Sequence, residues 1–389
     1  MRFGYWTPVY GGFLRNIEDE GMPPTWDYIK RISTQADRLG FDLTLVPELY
    51  LNDRKGPEAP SLEAWSLATA IAAVTDQIEV LTAIRPGYHN PQVTAKRLST
   101  LADISGDRLS LNVVAAWWAE EAKQFGGVFP SHDDRYVHCR EFVDALRGLL
   151  TESPYSQHGE YFDIEGTVVE PKPARLPQFY AGGESEGGRE AIAGFADSYV
   201  THGGTIEEIR EKAADVNARR ERLQGGPFGS IGMSAYIIIR DTEAEARKEL
   251  ERITTVDPNS PGYASFEEFT THSNLDVEVS KREYSVGTRA LRPELVGTPE
   301  QVAEKIRAYE AAGLNLLLIQ ASPLHEELER IATDLIPLVN GCAGPSSPPS
   351  PRHAACMFGG IRRAGSRRTR RVPSRERPGG GPLSSAVRG

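Results

Sequence analysis

Cysteine is scarce in this 389-residue chain, which contains only Cys139, Cys342 and Cys356. A single cysteine in the first 340 residues excludes a disulfide framework and a cysteine-rich metal site. Cys139 falls within a helical pattern and is predicted to be buried packing, because nothing near it in the sequence would activate its thiol. The sequence therefore points away from thiol chemistry.

Long apolar runs are also missing. No stretch of about 18 consecutive apolar residues occurs, and the chain starts on a strand-like segment rather than on a signal-peptide pattern. With 39% hydrophobic and 25% charged residues, the composition is typical of a globular protein with a large core. We expect a cytoplasmic protein that does not act at a membrane.

Lysine is absent from residues 341–389, which hold ten arginines and one glutamate. This tail carries +9, so that the first 340 residues carry −19 within a total of −10. Such an acidic body argues against nucleic acid as a partner. The tail is rich in Arg, Pro, Gly and Ser and is predicted to be disordered. We interpret it as read-through or frame-shifted translation without a selected role.

Eight strand patterns alternate with helical patterns along residues 1–340, at 3–10, 41–47, 79–84, 109–114, 178–181, 198–201, 234–240 and 314–320. This alternation predicts an α/β fold, a (β/α)₈ TIM barrel, rather than an open doubly wound sheet, since no glycine-rich fingerprint follows the first strand. Residues 161–172 are predicted to form a hairpin-type excursion.

An insertion at about 255–297 follows the seventh strand and is too long for an ordinary loop. It is interpreted as a lid, whose Lys281, Arg282, Arg289 and Arg292 could reach over a negatively charged ligand. A solvated surface loop is the alternative.

Polar and aromatic residues cluster at the carboxyl end of the fourth strand, the face of such barrels where chemistry occurs. Asn112 interrupts an apolar strand and could bond the polar edge of a flat heterocycle, as could Glu121 from the following loop. Trp6, Trp117 and Trp118 could wall such a ring or could be ordinary core residues.

The Gly182-Gly183 turn before Ser185 lies between a strand and a helix, where backbone N–H groups favour an anion. Arg135, at the start of another helix, offers a cation suited to phosphate; a mere tight turn capped by Ser185 is the alternative. The histidines lack metal-ligand spacing, and no Ser-His-Asp set is evident. A bound cofactor would then carry the reaction, and a flat ring with a phosphate describes flavin mononucleotide (FMN).

Several segments resemble the bacterial-luciferase-like flavin monooxygenases, in particular their dimethyl-sulfone and alkanesulfonate monooxygenase group. They are FGYWTPVYGG (3–12), ADRLGFD (36–42), AIRPGYHNPQVTAKRLSTLADISGDRLSLNVV (83–114), HDDRY (132–136), YAGGESEGG (180–188) and LVGTPEQVAEKI (295–306). The resemblance implies a barrel that receives reduced FMN (FMNH₂) from a separate NAD(P)H:flavin reductase. It also implies reaction with O₂ through a flavin peroxide, cleavage of a C–S bond, and a homo-oligomer, dimer or tetramer.

The resemblance further implies a set of FMN contacts. These are Asn112 and Glu121 at the ring, Val46 and Pro47 as its backbone neighbours, and Arg135, Tyr136, Ser185, Gly182 and Gly183 at the phosphate.

The substrate positions depart from the alkanesulfonate pattern, which pairs a histidine, a cysteine and an Arg-x-His. Here Tyr10, Ser61, Ser234 and Tyr236 stand at those positions. A small neutral organosulfur substrate, a sulfone before a sulfonate, is therefore predicted, with Tyr236, Tyr10 and Trp6 as the residues facing it. The alternatives are an alkanesulfonate monooxygenase, a deazaflavin-dependent oxidoreductase and a non-catalytic flavin-binding protein.

Overall fold

The computed structural model describes residues 1–272, 279–287 and 289–341. Eight parallel strands close into a barrel: β1 (Arg2–Trp6), β2 (Leu43–Val46), β3 (Glu79–Ile84), β4 (Leu109–Val113), β7 (Gln178–Ala181), β8 (Ser198–Thr201), β9 (Ser230–Tyr236) and β12 (Leu316–Gln320). Their order around the barrel is β1-β12-β9-β8-β7-β4-β3-β2. The predicted (β/α)₈ barrel is confirmed.

Four short strands lie outside the barrel. β5 (Tyr155–His158) pairs antiparallel with β6 (Asp163–Thr167), and β10 (Ile238–Ile239) pairs in parallel with β11 (Val296–Gly297). The hairpin excursion therefore begins earlier than residue 161.

The helices are α1 (Trp26–Leu39), α2 (Ala64–Val74), α3 (Pro91–Ser105), α4 (Ala119–Phe125), α5 (His132–Thr151), α6 (Glu186–Phe195), α7 (Ile206–Gln224), α8 (Glu243–Thr254), α9 (Phe266–His272), α10 (Pro299–Ala311), α11 (Leu324–Arg330) and α12 (Ile336–Val339). None of the helices in the described part of the chain is long and apolar enough to span a membrane.

Local sequence signals set the ends of several helices. The Thr25 hydroxyl accepts the Tyr28 N–H at the start of α1, and Gly40 ends that helix with φ 81°. Thr298 and Gln301 form a reciprocal capping box around Pro299 at the start of α10. Each such cap stabilises its helix by about 1 kcal/mol.

Side chains fill the barrel interior, beginning with a polar layer at the amino ends of the strands. Arg2 bonds Glu79 at 2.7 Å, and its other guanidinium nitrogen lies 3.3 Å from the Tyr180 hydroxyl. Above this polar layer a separate apolar cluster fills the barrel with Leu43, Leu45, Leu81, Tyr180, Leu316 and Leu318. The packed lower barrel leaves the carboxyl ends of the strands as the place for a ligand.

The insertion after α8 is docked on the barrel through buried charges. Arg15, from the loop after β1, bonds Asp53 at 2.8 Å and donates to the Tyr284 carbonyl oxygen at 2.8 Å. Its guanidinium lies 3.7 Å from the centre of the Tyr284 ring, and Asp53 accepts the Ser265 hydroxyl at 2.5 Å. The described part of the insertion is therefore packed against the loops after β1 and β2 and is not a solvated loop. The predicted disordered tail is residues 341–389, of which 342–389 lie outside the described residues.

Candidate functional site

A cavity of about 230 Å³ opens at the carboxyl ends of the barrel strands. One half of its wall comes from the adjacent strands β4, β7 and β8 and the segments that follow them, and the other half comes from β9, β12, β1 and β2. The first half carries the charged and glycine-rich groups. The second half is neutral and is lined by Trp6, Leu45, Ser234 and Leu318.

Asn112 lies on the charged half, on β4, in register with Ala83 on one side and Tyr180 on the other. Its amide oxygen is buried and has no hydrogen-bond partner among the described residues. A buried amide oxygen without a partner costs free energy unless a ligand supplies a donor. Asn112 is thus a polar group directed into the cavity.

Arg135 approaches the cavity from the first turns of α5. It is 6% exposed, and its guanidinium donates to the Ala116 carbonyl at 2.5 Å and lies 4.7 Å from the Phe129 ring centre. Ala116 has φ 53°, a conformation that costs free energy in a residue with a Cβ and that places its carbonyl against Arg135. The buried Nε of Arg135 has no partner in the described structure, so that this cation retains capacity for a ligand.

The turn after β7 requires its two glycines. A Cβ at Gly182 would lie 2.6 Å from the Val200 carbonyl oxygen, and one at Gly183 would lie 2.6 Å from the Tyr136 hydroxyl. Ser185 caps α6 by accepting the Gly188 N–H at 3.1 Å. The turn therefore lets backbone approach the cavity at a helix N-terminus, as anion binding requires. Ser185 itself is not among the residues that line the cavity.

Glu184, between the glycines and the cap, is the acidic centre of this half. Its carboxylate accepts the Thr201 hydroxyl at 3.0 Å and the His202 N–H at 3.1 Å, and it forms ion pairs with Lys212 and with Arg289. Burial alone would raise its pKa, but His202, Lys212 and Arg289 outweigh burial and lower the pKa to about 2. These hydrogen bonds and ion pairs connect the turn to β8, to α7 and to the insertion.

Aromatic side chains from the segment after β4 and from the insertion pack together at the cavity, which Trp117 and Phe269 line. The Trp117 ring stacks on Trp118 at 5.3 Å and meets Phe269 of α9 edge-on at 5.6 Å. At about 230 Å³ the cavity is smaller than the ~300–1,000 Å³ usual for ligand sites. Phe269 and Trp117 are the groups whose displacement would enlarge it.

Glu121, predicted to contact a cofactor ring, is placed elsewhere. It is fully buried, and its carboxylate accepts the Tyr50 N–H at 2.5 Å and the Leu51 N–H at 3.2 Å while pairing with Arg85. Buried Arg85 and these amides satisfy the carboxylate, so that Glu121 anchors the loop after β2 and does not line the cavity.

Four other predicted residues also lie outside the cavity wall. Val46 belongs to the large hydrophobic core and not to the cluster inside the barrel, and Pro47 is also buried. Tyr10 lines a separate cavity of about 510 Å³ beside the loop after β1. Tyr236 is fully buried, and burial raises the pKa of both tyrosines above the usual range. Strand β9 therefore presents Ser234, not Tyr236, to the main cavity.

The structure also adds residues that sequence patterns did not single out. His132, Glu184, His202 and Phe269 line the cavity. His132 and Glu184 belong to the HDDRY and YAGGESEGG segments, and His202 directly follows the sixth strand, so that their place in the sequence was the available signal. Phe269 reaches the cavity only because the insertion folds back, a long-range contact that no local pattern reveals. Among the described residues, no three His, Cys, Asp or Glu side chains are arranged to hold a metal ion.

Comparison with known proteins defines the class. The luciferase-like monooxygenase family profile matches residues 1–316. An FMNH₂-dependent dimethylsulfone monooxygenase of Pseudomonas putida is 31% identical over 353 residues, covering 87% of this chain and 95% of the relative. One of the same name from Pseudomonas fluorescens (strain Pf0-1) is 29% identical over 350 residues, with 87% and 94% covered.

Among solved structures, a riboflavin lyase with modified FMN and riboflavin superposes with a TM-score of 0.72 at 19% identity, covering 92% of this chain and 96% of that one. At this identity the likeness concerns the fold. The chain belongs to the luciferase-like monooxygenase family. The family predicted from the sequence is confirmed, and with it the prediction of a monooxygenase.

Proposed function

We propose that the protein is an FMNH₂- and O₂-dependent monooxygenase of a small neutral organosulfur compound, a sulfone rather than a sulfonate. In this proposal a separate NAD(P)H:flavin reductase supplies the reduced cofactor, and the chain works as a homo-oligomer. The two-sided cavity is the observation that supports it most. One half carries the unpartnered Asn112 oxygen and groups suited to bind a phosphate, and the other half is a neutral wall.

The residues of the charged half fit FMN. Arg135, Tyr136 and the Gly182-Gly183 turn would hold the phosphate, with Ser185 fixing the start of α6, and Asn112 would bond the polar edge of the ring. Reduced flavin supplies the electrons with which O₂ is activated, and the protein supplies position and a dry site. Trp117 and Phe269 would exclude water above the ring.

The charges of the insertion favour a neutral substrate. A sulfonate needs a cation, and the insertion was predicted to offer Lys281, Arg282, Arg289 or Arg292. None of these four residues lines the cavity. Arg289 is 2% exposed and pairs with Glu184, and Arg292 pairs with Glu208 and Glu283. Both cations are therefore engaged away from the neutral half, where Ser234 and Trp6 offer uncharged donors.

The activity test combines the protein with a flavin reductase, NADH, FMN and O₂ and offers dimethyl sulfone, longer sulfones and alkanesulfonates in parallel. We expect sulfinate release from the small sulfones and little sulfite from the sulfonates. Preference for a deazaflavin over FMN, or turnover of sulfonates alone, would refute the proposal. Flavin binding with no turnover of any compound would favour a binding protein.

The phosphate contact is tested with Arg135→Met, measured against FMN and riboflavin. Charged hydrogen bonds contribute about 1.5–3 kcal/mol, so that FMN affinity should fall roughly 10- to 100-fold while riboflavin affinity stays the same. Arg140→Met is the matched control, because Arg140 lies on the same helix with its side chain 64% exposed. Equal losses for FMN and riboflavin would place Arg135 away from the phosphate.

A further inference from the structure

The neutral half of the cavity region holds buried polar atoms that the flavin contacts do not use. The Gln320 side chain is fully buried, and both its amide oxygen and its amide nitrogen have no hydrogen-bond partner in the described structure. The Ser234 hydroxyl, at 3% exposure, and the Trp6 indole nitrogen are buried and unpartnered in the same way. Four polar atoms without partners are a costly arrangement in a protein interior.

Strand register brings these groups together. Leu318 of β12 pairs with Ser234 of β9, and both line the cavity. Gln320 follows Leu318 by two residues, so that strand alternation places its side chain on the same face of β12. It pairs with Tyr236 of β9, and like Tyr236 it lies beyond the residues that line the open cavity. Tyr5 of β1 pairs with Ile319 of β12, which sets Trp6 beside Gln320 on the neighbouring strand. Gln320 therefore lies between the strands that carry Ser234 and Trp6, one step nearer the barrel mouth than Leu318.

The chemistry of this set selects a class of ligand. The Gln320 amide, the Ser234 hydroxyl and the Trp6 indole N–H are uncharged donors, and Leu45 and Leu318 form the apolar wall beside them. An anion would be buried here without a cation, which is unfavourable. A small molecule with apolar flanks and strongly accepting, uncharged oxygens satisfies both the donors and the wall.

We propose that Gln320, with Ser234 and Trp6, binds the oxygen atoms of a neutral oxo-sulfur substrate and is a specificity-determining residue of this enzyme. The inference rests on the proposed function and names a residue that would contact the substrate of that reaction. Gln320 offers an uncharged amide at the end of β12, so that this position favours a neutral ligand over an anion.

The kinetic test compares Gln320→Leu and Gln320→Met with Gln77→Leu, a control whose exposed side chain lies at the amino end of the barrel. The loss of a neutral hydrogen bond should raise the KM for dimethyl sulfone about 3- to 10-fold. We expect little change in kcat or FMN affinity, and thermal stability equal to or above that of the parent, because apolar groups replace unpartnered polar atoms. Gln320→Arg should lower the ratio of sulfone to alkanesulfonate turnover.

Two outcomes separate this inference from the proposed function. An active parent enzyme in which Gln320→Leu and Gln320→Met leave the KM for dimethyl sulfone unchanged would refute the role of Gln320 alone. If the parent turns over no organosulfur compound, ligand-observed NMR with dimethyl sulfone and FMN decides. Binding to the parent that is weakened in both Gln320 variants supports the contact, and equal binding or none refutes it.

Discussion

Replacing Asn112 with leucine should stabilise the protein and impair its cofactor binding at the same time. The Asn112 amide oxygen is buried without a partner on β4, so that the flavin-free protein bears the cost of desolvating it. Leucine has nearly the same shape and removes that polar atom. If this oxygen accepts a hydrogen bond from the flavin, the substitution should raise the free energy of unfolding and lower the affinity for FMN.

The magnitudes follow from the two states of this oxygen. An unsatisfied buried acceptor costs about 1–3 kcal/mol, whereas a neutral hydrogen bond to a ligand contributes about 0.5–1.5 kcal/mol. Asn112→Leu should therefore raise the free energy of unfolding of the flavin-free protein by about 1 kcal/mol. Its FMN affinity should fall about 2- to 10-fold.

Thermal unfolding without flavin and fluorescence titration with FMN measure the two effects. Asn217→Leu is the matched control, because the Asn217 oxygen accepts the Phe228 N–H at 3.0 Å far from the cavity. That variant should lose stability and keep FMN affinity. A less stable Asn112→Leu protein that binds FMN as tightly as the parent would refute the reasoning, since Asn112 would then be an ordinary structural residue.

Two further predictions concern Glu184 in the turn after β7 and the contact between Phe269 and Trp117. Because the folded-state pKa of Glu184 is lowered to about 2 from an ordinary 4.5, its contribution to stability is present above pH 4.5 and is lost as the pH falls toward 2. Glu184→Gln should lower the free energy of unfolding at neutral pH by about 3 kcal/mol, because it removes the carboxylate with which buried Lys212 and Arg289 pair. Between pH 4.5 and 2 the free energy of unfolding of this variant should change less than that of the parent. Parallel pH profiles of parent and variant, measured by circular dichroism, would contradict this. Phe269→Ala removes the ring that meets Trp117 and should speed FMN association, measured by stopped flow, by up to about tenfold. Phe125→Ala, at an exposed ring on α4, should not change that rate, and equal rates in all three proteins would show that α9 does not limit access.

The sequence carried enough information to predict the barrel because each strand is a short apolar run between helical patterns. The predicted strand ends were wrong where tertiary contacts determine them. The first strand stops at Trp6, before Pro8 and the Gly11-Gly12 turn, rather than at residue 10. The seventh strand begins at Ser230, whose hydroxyl bonds Asn315 beside the eighth strand. A polar, glycine-containing start of this kind is recognisable only with its neighbours in place.

The site was predictable where a residue type is unusual in its own segment. Asn112 in an apolar strand and the paired glycines before Ser185 met that condition, and the cavity contains Asn112, Gly182 and Gly183. Glu121 is not unusual in its segment, because an acidic residue often follows a strand. The same local sequence would fit a Glu121 that contacts a cofactor and one that contacts an arginine 36 positions earlier. Only the fold shows that Arg85 takes it.

If the charged half holds the FMN phosphate as proposed, the charges around it explain why one arginine would suffice there. A carboxylate beside a phosphate would oppose binding, yet Glu184 occupies the turn that approaches it. Lys212 and Arg289 neutralise Glu184 from behind, so that its charge does not face the ligand uncompensated. No described carboxylate lies within ion-pair distance of Arg135, whose partners are the Ala116 carbonyl and the Phe129 ring. The acidic turn and Arg135 would then form one anion site, to which the insertion contributes Arg289 as a partner of Glu184.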